Sequence, residues 1–397
     1  MIQIGIVGKP NTGKSTFFAG ATLIDVKRAP YPFTTIKPNV GVGYVRTECV
    51  CKELGVRDSP RNSICIDGWR FIPVELIDVA GLVPGAWEGR GLGNMFLDHL
   101  RRAPVLIHVV DASGSTDEEG QPVPPGTRDP LEDVAFLEKE LEMWVYQIIS
   151  KDWEKISKLI DFQRNYDELY SKFTGLGISS CLVDRAIDEL GLRGKKATSW
   201  SQSNLLDLIR FLLKKAKPIV IAANKADLDV SVDNIKRMTQ ELKGYEVIPT
   251  SAEAELALRK AGKAGLVRYL PGDGDFEVTG NLTREQMRAL EYIREKVLKR
   301  WGSTGVQRAI NTAVFDKLGM IVVFPVENEK MFSDSKGNVL PDALLVSGDS
   351  TPKDLAFEIH TEIGKRFAFA IDARTGRRLS SNDKLSHRMV VKIVTSH

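Results

Sequence analysis

A short apolar run that leads directly into a glycine-rich loop constrains this chain more than any other feature. Residues 2–7 read IQIGIV, a mostly apolar run that predicts a buried parallel strand. The next eight residues, 8–15, read GKPNTGKS and fit the pattern GxxxxGK[ST]. After a strand, this pattern forms a loop whose backbone N–H groups surround phosphate oxygens. The sequence therefore predicts a phosphate-binding loop at the edge of a parallel sheet.

Each position of this loop has a predicted task. Lys14 is predicted to reach the β- and γ-phosphate oxygens, and the Ser15 hydroxyl to hold Mg²⁺. The other predicted nucleotide-binding residues of the loop are Gly8, Asn11, Thr12, Gly13 and Thr16.

Three further apolar runs end in a polar residue. They are residues 74–77 before Asp78, 105–110 before Asp111, and 219–223 before Asn224. Strands that alternate with helices predict a doubly wound α/β sheet, with functional groups at the carboxyl ends of the strands. In the run Asp78-Val79-Ala80-Gly81, Asp78 is predicted to join the Mg²⁺ shell and Gly81 to sense the γ-phosphate.

Residues at two later strand ends indicate which nucleotide base the site recognises. The Asp227 carboxylate of Asn224-Lys225-Ala226-Asp227 can accept the ring and amino N–H groups of guanine, a donor pair that adenine lacks. A backbone N–H of Ser251-Ala252 can approach the guanine carbonyl. These motifs follow the phosphate loop in the expected order, so GTP and GDP are the predicted ligands.

The spacing of the strands predicts three domains. Residues 112–218 separate two predicted neighbouring strands, whereas a parallel crossover needs about a dozen. A helix is predicted to start at Asp129-Pro130 inside this insertion. The predicted domains are 1–111 plus 218–317 for the sheet, 112–217 for a helical insertion, and 318–397 for a small α+β domain with strands near 321–326, 367–371 and 389–394.

Composition limits the partners and the compartment. The chain has 397 residues and a net charge of +3, a weak bias compared with that of a dedicated nucleic-acid binder, so the charge neither excludes nor demands nucleic acid. DNA is not expected as a partner. No apolar run approaches the roughly 20 residues that span a bilayer, so no membrane partner is expected. Four cysteines make neither a disulfide framework nor the paired CxxC spacing of a zinc site. Cys49, Cys51 and Cys65 are assigned to packing, and a cytoplasmic location is predicted.

Two segments between the motifs carry a resemblance to a known family. They are Tyr31-Pro32-Phe33-Thr34-Thr35 with Pro38-Asn39-Val40-Gly41, and 81–86 (GLVPGA) with 88–89, 91–93 and 96–97. The sequence resembles TRAFAC-class GTPases of the Obg superfamily, and within them the YchF branch. The resemblance implies a P-loop GTPase sheet with a helical insertion and a carboxyl-terminal TGS-like domain of β-grasp fold.

The family likeness also implies a mechanism. Thr35 would close over Mg²⁺ and the γ-phosphate, although the adjacent Thr34 is an alternative. Leu82 stands where Ras-like proteins place a glutamine that orients water, so intrinsic hydrolysis is expected to be slow. Asn11 resembles the asparagine that holds K⁺ in potassium-activated relatives; alternatively, it only shapes the loop.

The implied function is that of a switch that hydrolyses GTP and acts on the ribosome or RNA. Many YchF proteins are thought to have lost the NKxD motif and to prefer ATP, whereas this chain keeps Asn224 and Asp227, which favours GTP. An ATPase and a nucleotide-stabilised binding module with negligible turnover remain alternatives. His99, His108 and His360 are interpreted as structural. The basic residues around the Thr375-Gly376 turn either contact phosphates or are simply solvated: Arg374, Arg377, Arg378, Lys384 and Arg388.

Overall fold

The computed structural model describes residues 1–22, 40–79, 85, 87 and 101–396. Several residues discussed above lie outside this part of the chain. They are Thr34, Thr35, Gly81, Leu82 and His99.

A seven-stranded sheet carries the predicted motifs. Its strands are β1 Gln3–Val7, β2 Val40–Glu48, β3 Ile64–Ile66, β4 Trp69–Asp78, β5 Val105–Asp111, β6 Ile219–Asn224 and β7 Glu246–Pro249. The order is β2-β4-β1-β5-β6-β7, and β3 pairs with β4. Strands β4, β1, β5, β6 and β7 are parallel, as the sequence predicts, so their carboxyl ends share one edge.

Strand β2 was not predicted, and it runs antiparallel to β4. Its sequence, VGVGYVRTE, contains two glycines that weaken the strand pattern. Packing explains both of them. A Cβ on Gly41 would lie 2.7 Å from the Phe18 ring, and a Cβ on Gly43 would lie 2.6 Å from Leu76. Close packing in the long antiparallel pair of β2 and β4 therefore requires glycine at these two positions, although glycine has a low strand propensity.

Helices cover both faces of this sheet. Those outside the insertion are Lys14–Thr22, Cys51–Leu54, Asp229–Glu241, Ala252–Lys263, Arg284–Ile293, Lys299–Trp301 and Val306–Asn311, with π-helical turns at Arg294–Leu298 and Thr312–Lys317. A small hairpin is formed by β8 Val267–Arg268 and β9 Glu277–Val278. Thr283 and Gln286 form a capping box at the start of the helix Arg284–Ile293.

The segment between β5 and β6 is helical, as the sequence predicts. Its helices are Pro130–Ser150, Trp153–Gln163, Asp167–Thr174, Ser180–Glu189 and Gln202–Ala216, with a 3-10 turn at Ala197–Ser199. The predicted start at Asp129-Pro130 is confirmed, because the Asp129 side chain accepts a hydrogen bond from the Leu131 N–H. The helices enclose an apolar core that includes Leu137, Phe173 and Ile187, all fully or almost fully buried, and that continues onto the sheet through Ile77 and Leu106.

The carboxyl-terminal residues form a second, mixed sheet. Its strands are β10 Met320–Val326, β11 Leu344–Ser347, β12 Phe367–Asp372, β13 Arg378–Leu379 and β14 Met389–Thr395, in the order β11-β10-β14-β12-β13. Strands β10 and β14 are parallel, and the helices Pro352–Ile359 and Thr361–Lys365 pack beside them. The short strands β11 and β13 were not predicted. In the described part of the chain, no helix has the length and apolar character needed to cross a bilayer.

The basic residues near the Thr375-Gly376 turn are mostly used within the protein. Arg374 lies 3.0 Å from Glu53, and Arg388 lies 3.2 Å from Glu48, so both fasten the second sheet to the β2 end of the first. The other three also have intramolecular partners: Lys384 with Asp349, Arg377 with Asp383, and Arg378 over the Phe369 ring. These contacts favour a structural role for the cluster.

Candidate nucleotide-binding site

A cavity of about 350 Å³ opens at the carboxyl ends of the parallel strands. Nine predicted site residues line it, together with Glu253, which the sequence analysis did not select. The nine are Asn11, Gly13, Lys14, Ser15, Thr16, Asn224, Lys225, Asp227 and Ser251. The structure thus brings the loop after β1 and the loops after β6 and β7 to one place.

The loop after β1 has the backbone geometry that a phosphate-binding loop needs. Gly8 and Gly13 have φ of +146° and +95°, which side chains other than glycine rarely adopt, and Asn11 has φ of +60°. The Lys14 Nζ donates to the Lys9 carbonyl at 3.2 Å across the loop. Burial lowers the pKa of Lys14, while nearby Asp78 raises it. The loop therefore combines backbone conformations that favour glycine with a buried amine that lines the cavity.

Ser15 and Asp78 supply oxygen atoms beside this loop. The Ser15 hydroxyl donates to the Asp78 carboxylate at 3.2 Å. Burial raises the pKa of Asp78, against the opposite effects of Lys14 and Ser15. A hydroxyl and a carboxylate are the hard oxygen ligands that Mg²⁺ takes together with phosphate oxygens and water. These two residues therefore fit the predicted magnesium site.

The Asn224 side chain joins the phosphate loop to the loop after β7. Its Nδ2 donates to the Thr12 carbonyl at 2.8 Å, and its Oδ1 accepts from the Ala252 N–H at 3.0 Å. Gly13 makes this approach possible, because a Cβ there would lie 2.2 Å from the Asn224 Nδ2. Asn224 thus holds the loops together, and it also lines the cavity.

Lys225 is held by a buried carboxylate at the end of β5. Its Nζ donates to Asp111 Oδ2 at 2.8 Å and to the Ser115 hydroxyl at 2.9 Å. Burial raises the pKa of Asp111, but the hydrogen bonds from Lys225 and Ser113 outweigh burial, so this pKa lies below its usual value. The sequence alone marks Asp111 only as the residue at the end of a strand.

Asp227 is positioned by two hydroxyl groups. Ser251 Oγ donates to Asp227 Oδ1 at 2.9 Å, and Tyr292 lies 3.4 Å from Oδ2. Tyr292 comes from the helix Arg284–Ile293, far along the chain, and its sequence context offers no signal for this role. The carboxylate lines the same cavity as the phosphate loop.

Comparisons with known proteins agree with this geometry. Residues 3–144 match the family described as 50S ribosome-binding GTPase. Residues 222–328 match the Obg-like GTPase YGR210-like, G4 motif-containing domain, and residues 336–395 match the TGS domain. An uncharacterized GTP-binding protein of Methanocaldococcus jannaschii is 49% identical over all of both chains. The chain belongs to the YchF branch of the Obg-like GTPases.

Three further relatives agree with this assignment, and two of them bear the YchF name. A crystal structure of a GTP-binding protein from Pyrococcus horikoshii is 44% identical, covers all of both chains and superposes with a TM-score of 0.80. The Schizosaccharomyces pombe YchF GTPase shares the fold over 99% of this chain and 97% of its own, with a TM-score of 0.60 at 20% identity. The ribosome-binding ATPase YchF of Bacillus subtilis is 32% identical, covering 64% of this chain and 66% of its own.

In this YchF-branch protein, the long insertion helix Pro130–Ser150 touches the nucleotide site at two points that sequence reasoning missed. Lys9 of the phosphate loop donates to Asp133 at 2.8 Å, and burial raises the pKa of Asp133 to about 6 despite this partner. Glu140 accepts from the Gly85 N–H at 3.0 Å and the Trp87 N–H at 3.2 Å. The sequence offers a weak signal for them: each of these two carboxylates directly precedes a buried apolar residue of an amphipathic helix, Val134 or Leu141.

The spacing of these two carboxylates places both contacts on the same face of the helix. Asp133 and Glu140 are seven residues apart, which is close to two helical turns, so they project from the same side. Gly85 and Trp87 lie in the stretch after Asp78 that resembles the family's second switch segment. One rigid helix therefore contacts both the phosphate loop and this segment.

We expect Glu140→Gln to lower the free energy of unfolding by about 1.5–3 kcal/mol, because Gln offers one acceptor oxygen and no charge, so one of the hydrogen bonds from Gly85 and Trp87 is lost and the other is weakened. Glu142→Gln on the same helix is the matched control. Its carboxylate pairs with the largely exposed Arg210, so about 1 kcal/mol or less is expected. Urea unfolding of both variants measures the difference, and equal losses would show that Glu140 has no special role.

His108 lies on β5 beneath the phosphate loop. Its ring is buried, and its Nδ1 has no hydrogen-bond partner among the described residues. Burial, with smaller contributions from Lys14 and Lys9, lowers its pKa to about 3. A neutral, buried imidazole agrees with the structural interpretation of His108. The structural interpretation of His360 agrees with a different contact: its Nδ1 accepts a hydrogen bond from the Glu362 N–H at the start of a helix.

The His108 pKa predicts a pH-dependent stability. Its ordinary value is 6.5, so below that pH the unfolded chain binds a proton that the folded chain refuses until about pH 3. This residue is therefore expected to cost the folded state about 2 kcal/mol on going from pH 7 to pH 5. Urea unfolding at both pH values should show a smaller acid loss for His108→Gln than for the parent chain. Identical acid losses would contradict the assignment.

Proposed function

We propose that this protein binds GTP with Mg²⁺, hydrolyses it to GDP and phosphate, and uses the nucleotide state to control association with the ribosome. The observation that carries the guanine part is the position of Asp227. Its carboxylate is fixed by Ser251 and Tyr292 and lines the cavity, in an intact Asn224-Lys225-Ala226-Asp227 motif.

The residues of the phosphate loop support a hydrolytic role. Lys14 would neutralise charge on the β- and γ-phosphates, and Ser15 and Asp78 would hold Mg²⁺, which stabilises the charge that develops on the leaving phosphate oxygens. By resemblance to the family, Thr35 or Thr34 and the Gly81 N–H would close around the γ-phosphate. Leu82 offers water no hydrogen bond, so a partner or a cation must complete the site.

Potassium is the cation proposed for this task. Asn11 lies at the cavity, and its Nδ2 donates to the Gly120 carbonyl at 2.8 Å, which orients the side chain while its Oδ1 stays available as an oxygen ligand. GTP hydrolysis should then be faster in potassium than in sodium buffer. Equal rates would remove potassium from the proposal.

Replacing Asp227 by Asn is expected to weaken GTP binding about 10- to 100-fold, because a charge-assisted pair of hydrogen bonds to guanine is worth about 1.5–3 kcal/mol. ATP binding should not change. Calorimetric titration with both nucleotides measures this, and Asp233→Asn, a change of an almost fully exposed carboxylate, is the control. Lys14→Ala should abolish binding of both nucleotides. Equal affinities for GTP and ATP in the parent chain would refute the guanine assignment.

An ATP-preferring enzyme is the competing proposal, because relatives such as the Bacillus subtilis protein are named ATPases. A binding module that holds nucleotide without turnover is a third. A turnover rate that rises when a partner is added would exclude the module, since a purely structural ligand has no reason to be consumed.

The ribosome is proposed as the partner from the name of that same relative and from the matched 50S ribosome-binding family. Co-sedimentation with ribosomal subunits, in potassium buffer at near-physiological salt, tests the proposal. The chain loaded with a non-hydrolysable GTP analogue should associate to a different extent from the chain loaded with GDP. Absence of association in both states would remove the ribosome from the proposed function.

A further inference from the structure

Three of the four cysteines meet at one point away from the nucleotide cavity. Cys49 follows β2, Cys51 begins the helix Cys51–Leu54, and Cys65 lies in β3, with Asp58 in the loop between them. The three sulfur atoms and one carboxylate oxygen all lie within 4.8 Å of one another. The sequence analysis assigned these cysteines to packing, because their spacing lacks the paired CxxC pattern; the fold brings them together instead.

We propose that Cys49, Cys51, Cys65 and Asp58 form a structural zinc site. In a tetrahedral site with Zn–S distances of about 2.3 Å, neighbouring sulfur atoms are about 3.8 Å apart and a sulfur and an oxygen are about 3.5 Å apart. The Cys51 and Cys65 sulfur atoms are 3.9 Å apart, and Cys49 Sγ is 3.2 Å from Asp58 Oδ2. A disulfide would need about 2.05 Å.

The chemistry of the donor set favours zinc. Three soft thiolates and one hard carboxylate suit Zn²⁺, a borderline ion that takes four ligands in a tetrahedron, and four protein ligands leave no position for a substrate. Cys49 is 1% exposed and Cys51 8%, so bulk solvent has little access. Metal binding would displace the thiol protons into solvent.

A buried arginine gives independent support. Arg70 is fully buried, and its Nη2 lies 3.6 Å from Asp58. Its Nε and Nη1 have no hydrogen-bond partner in the described part of the chain. A buried cation with free donors is costly unless negative charge lies nearby. Three thiolates and a carboxylate around Zn²⁺ carry a net charge of −2, which would compensate this guanidinium.

The position of the site indicates its purpose. Residues 56–63 have no helix or strand, yet their backbone pairs with the second sheet's domain: the Ser59 N–H donates to Val339 O at 2.8 Å, and the Arg61 N–H to Pro341 O at 2.7 Å. Arg70 Nη2 also donates to the Leu340 carbonyl. A metal that ties both ends of this loop would hold it in the shape that docks the TGS domain.

The first test is metal content. The full chain, purified under reducing conditions from zinc-supplemented cells and analysed by plasma mass spectrometry, should retain about one zinc per chain. Cys65→Ser should lose zinc to background, whereas Cys181→Ser should keep it, because Cys181 is exposed and lies outside the site. A parent chain without zinc, or equal zinc in the two variants, would overturn the proposal.

The second test does not depend on how well a serine variant folds. The parent chain, stripped by chelator and titrated with Co²⁺ alone, should develop the charge-transfer absorption of cobalt–thiolate bonds. Asp58→Cys should keep the site and absorb more strongly, because a fourth thiolate replaces the carboxylate. Chelator should lower the melting temperature of the parent and of Cys181→Ser. Absence of cobalt–thiolate absorption in both the parent and Asp58→Cys would refute a thiolate metal site.

Discussion

The amide of Asn224 is the contact on which the nucleotide site depends. It joins the Thr12 carbonyl to the Ala252 N–H, so the loops after β1, β6 and β7 cannot move independently. The absence of a side chain on Gly13 admits it at this distance. Because Asn224 fixes these loops relative to each other, their arrangement is set during folding, which lowers the ordering cost that ligand binding would otherwise carry.

The helix Pro130–Ser150 extends this rigid framework into the insertion. The Asp133 carboxylate accepts a hydrogen bond from Lys9 of the phosphate loop, and the Glu140 carboxylate accepts two from backbone N–H groups of the segment after β4. Both carboxylates belong to one helix face, so a single helix contacts the phosphate loop and the segment after β4. The insertion is therefore a structural extension of the nucleotide site.

The sequence predicts the local part of this architecture well. The strand before Gly8, the strand ends at Asp78, Asp111 and Asn224, and the helix start at Asp129 all follow from short-range patterns. It misses features that depend on distant pairing: strand β2 with its packed glycines, the Lys9–Asp133 and Glu140 contacts, and the meeting of Cys49, Asp58 and Cys65. In each of these, the partners are brought together by tertiary packing, and no local periodicity marks them in advance.

Steady-state hydrolysis of GTP and of ATP by the full chain, with Mg²⁺ and K⁺ present, tests the central claim most directly. The account predicts phosphate release from GTP with a kcat/KM about tenfold or more above that for ATP, because only guanine offers Asp227 its pair of donors. Equal or faster release from ATP would contradict the guanine assignment. No release from either nucleotide, alone or with ribosomal subunits, would contradict the hydrolytic role.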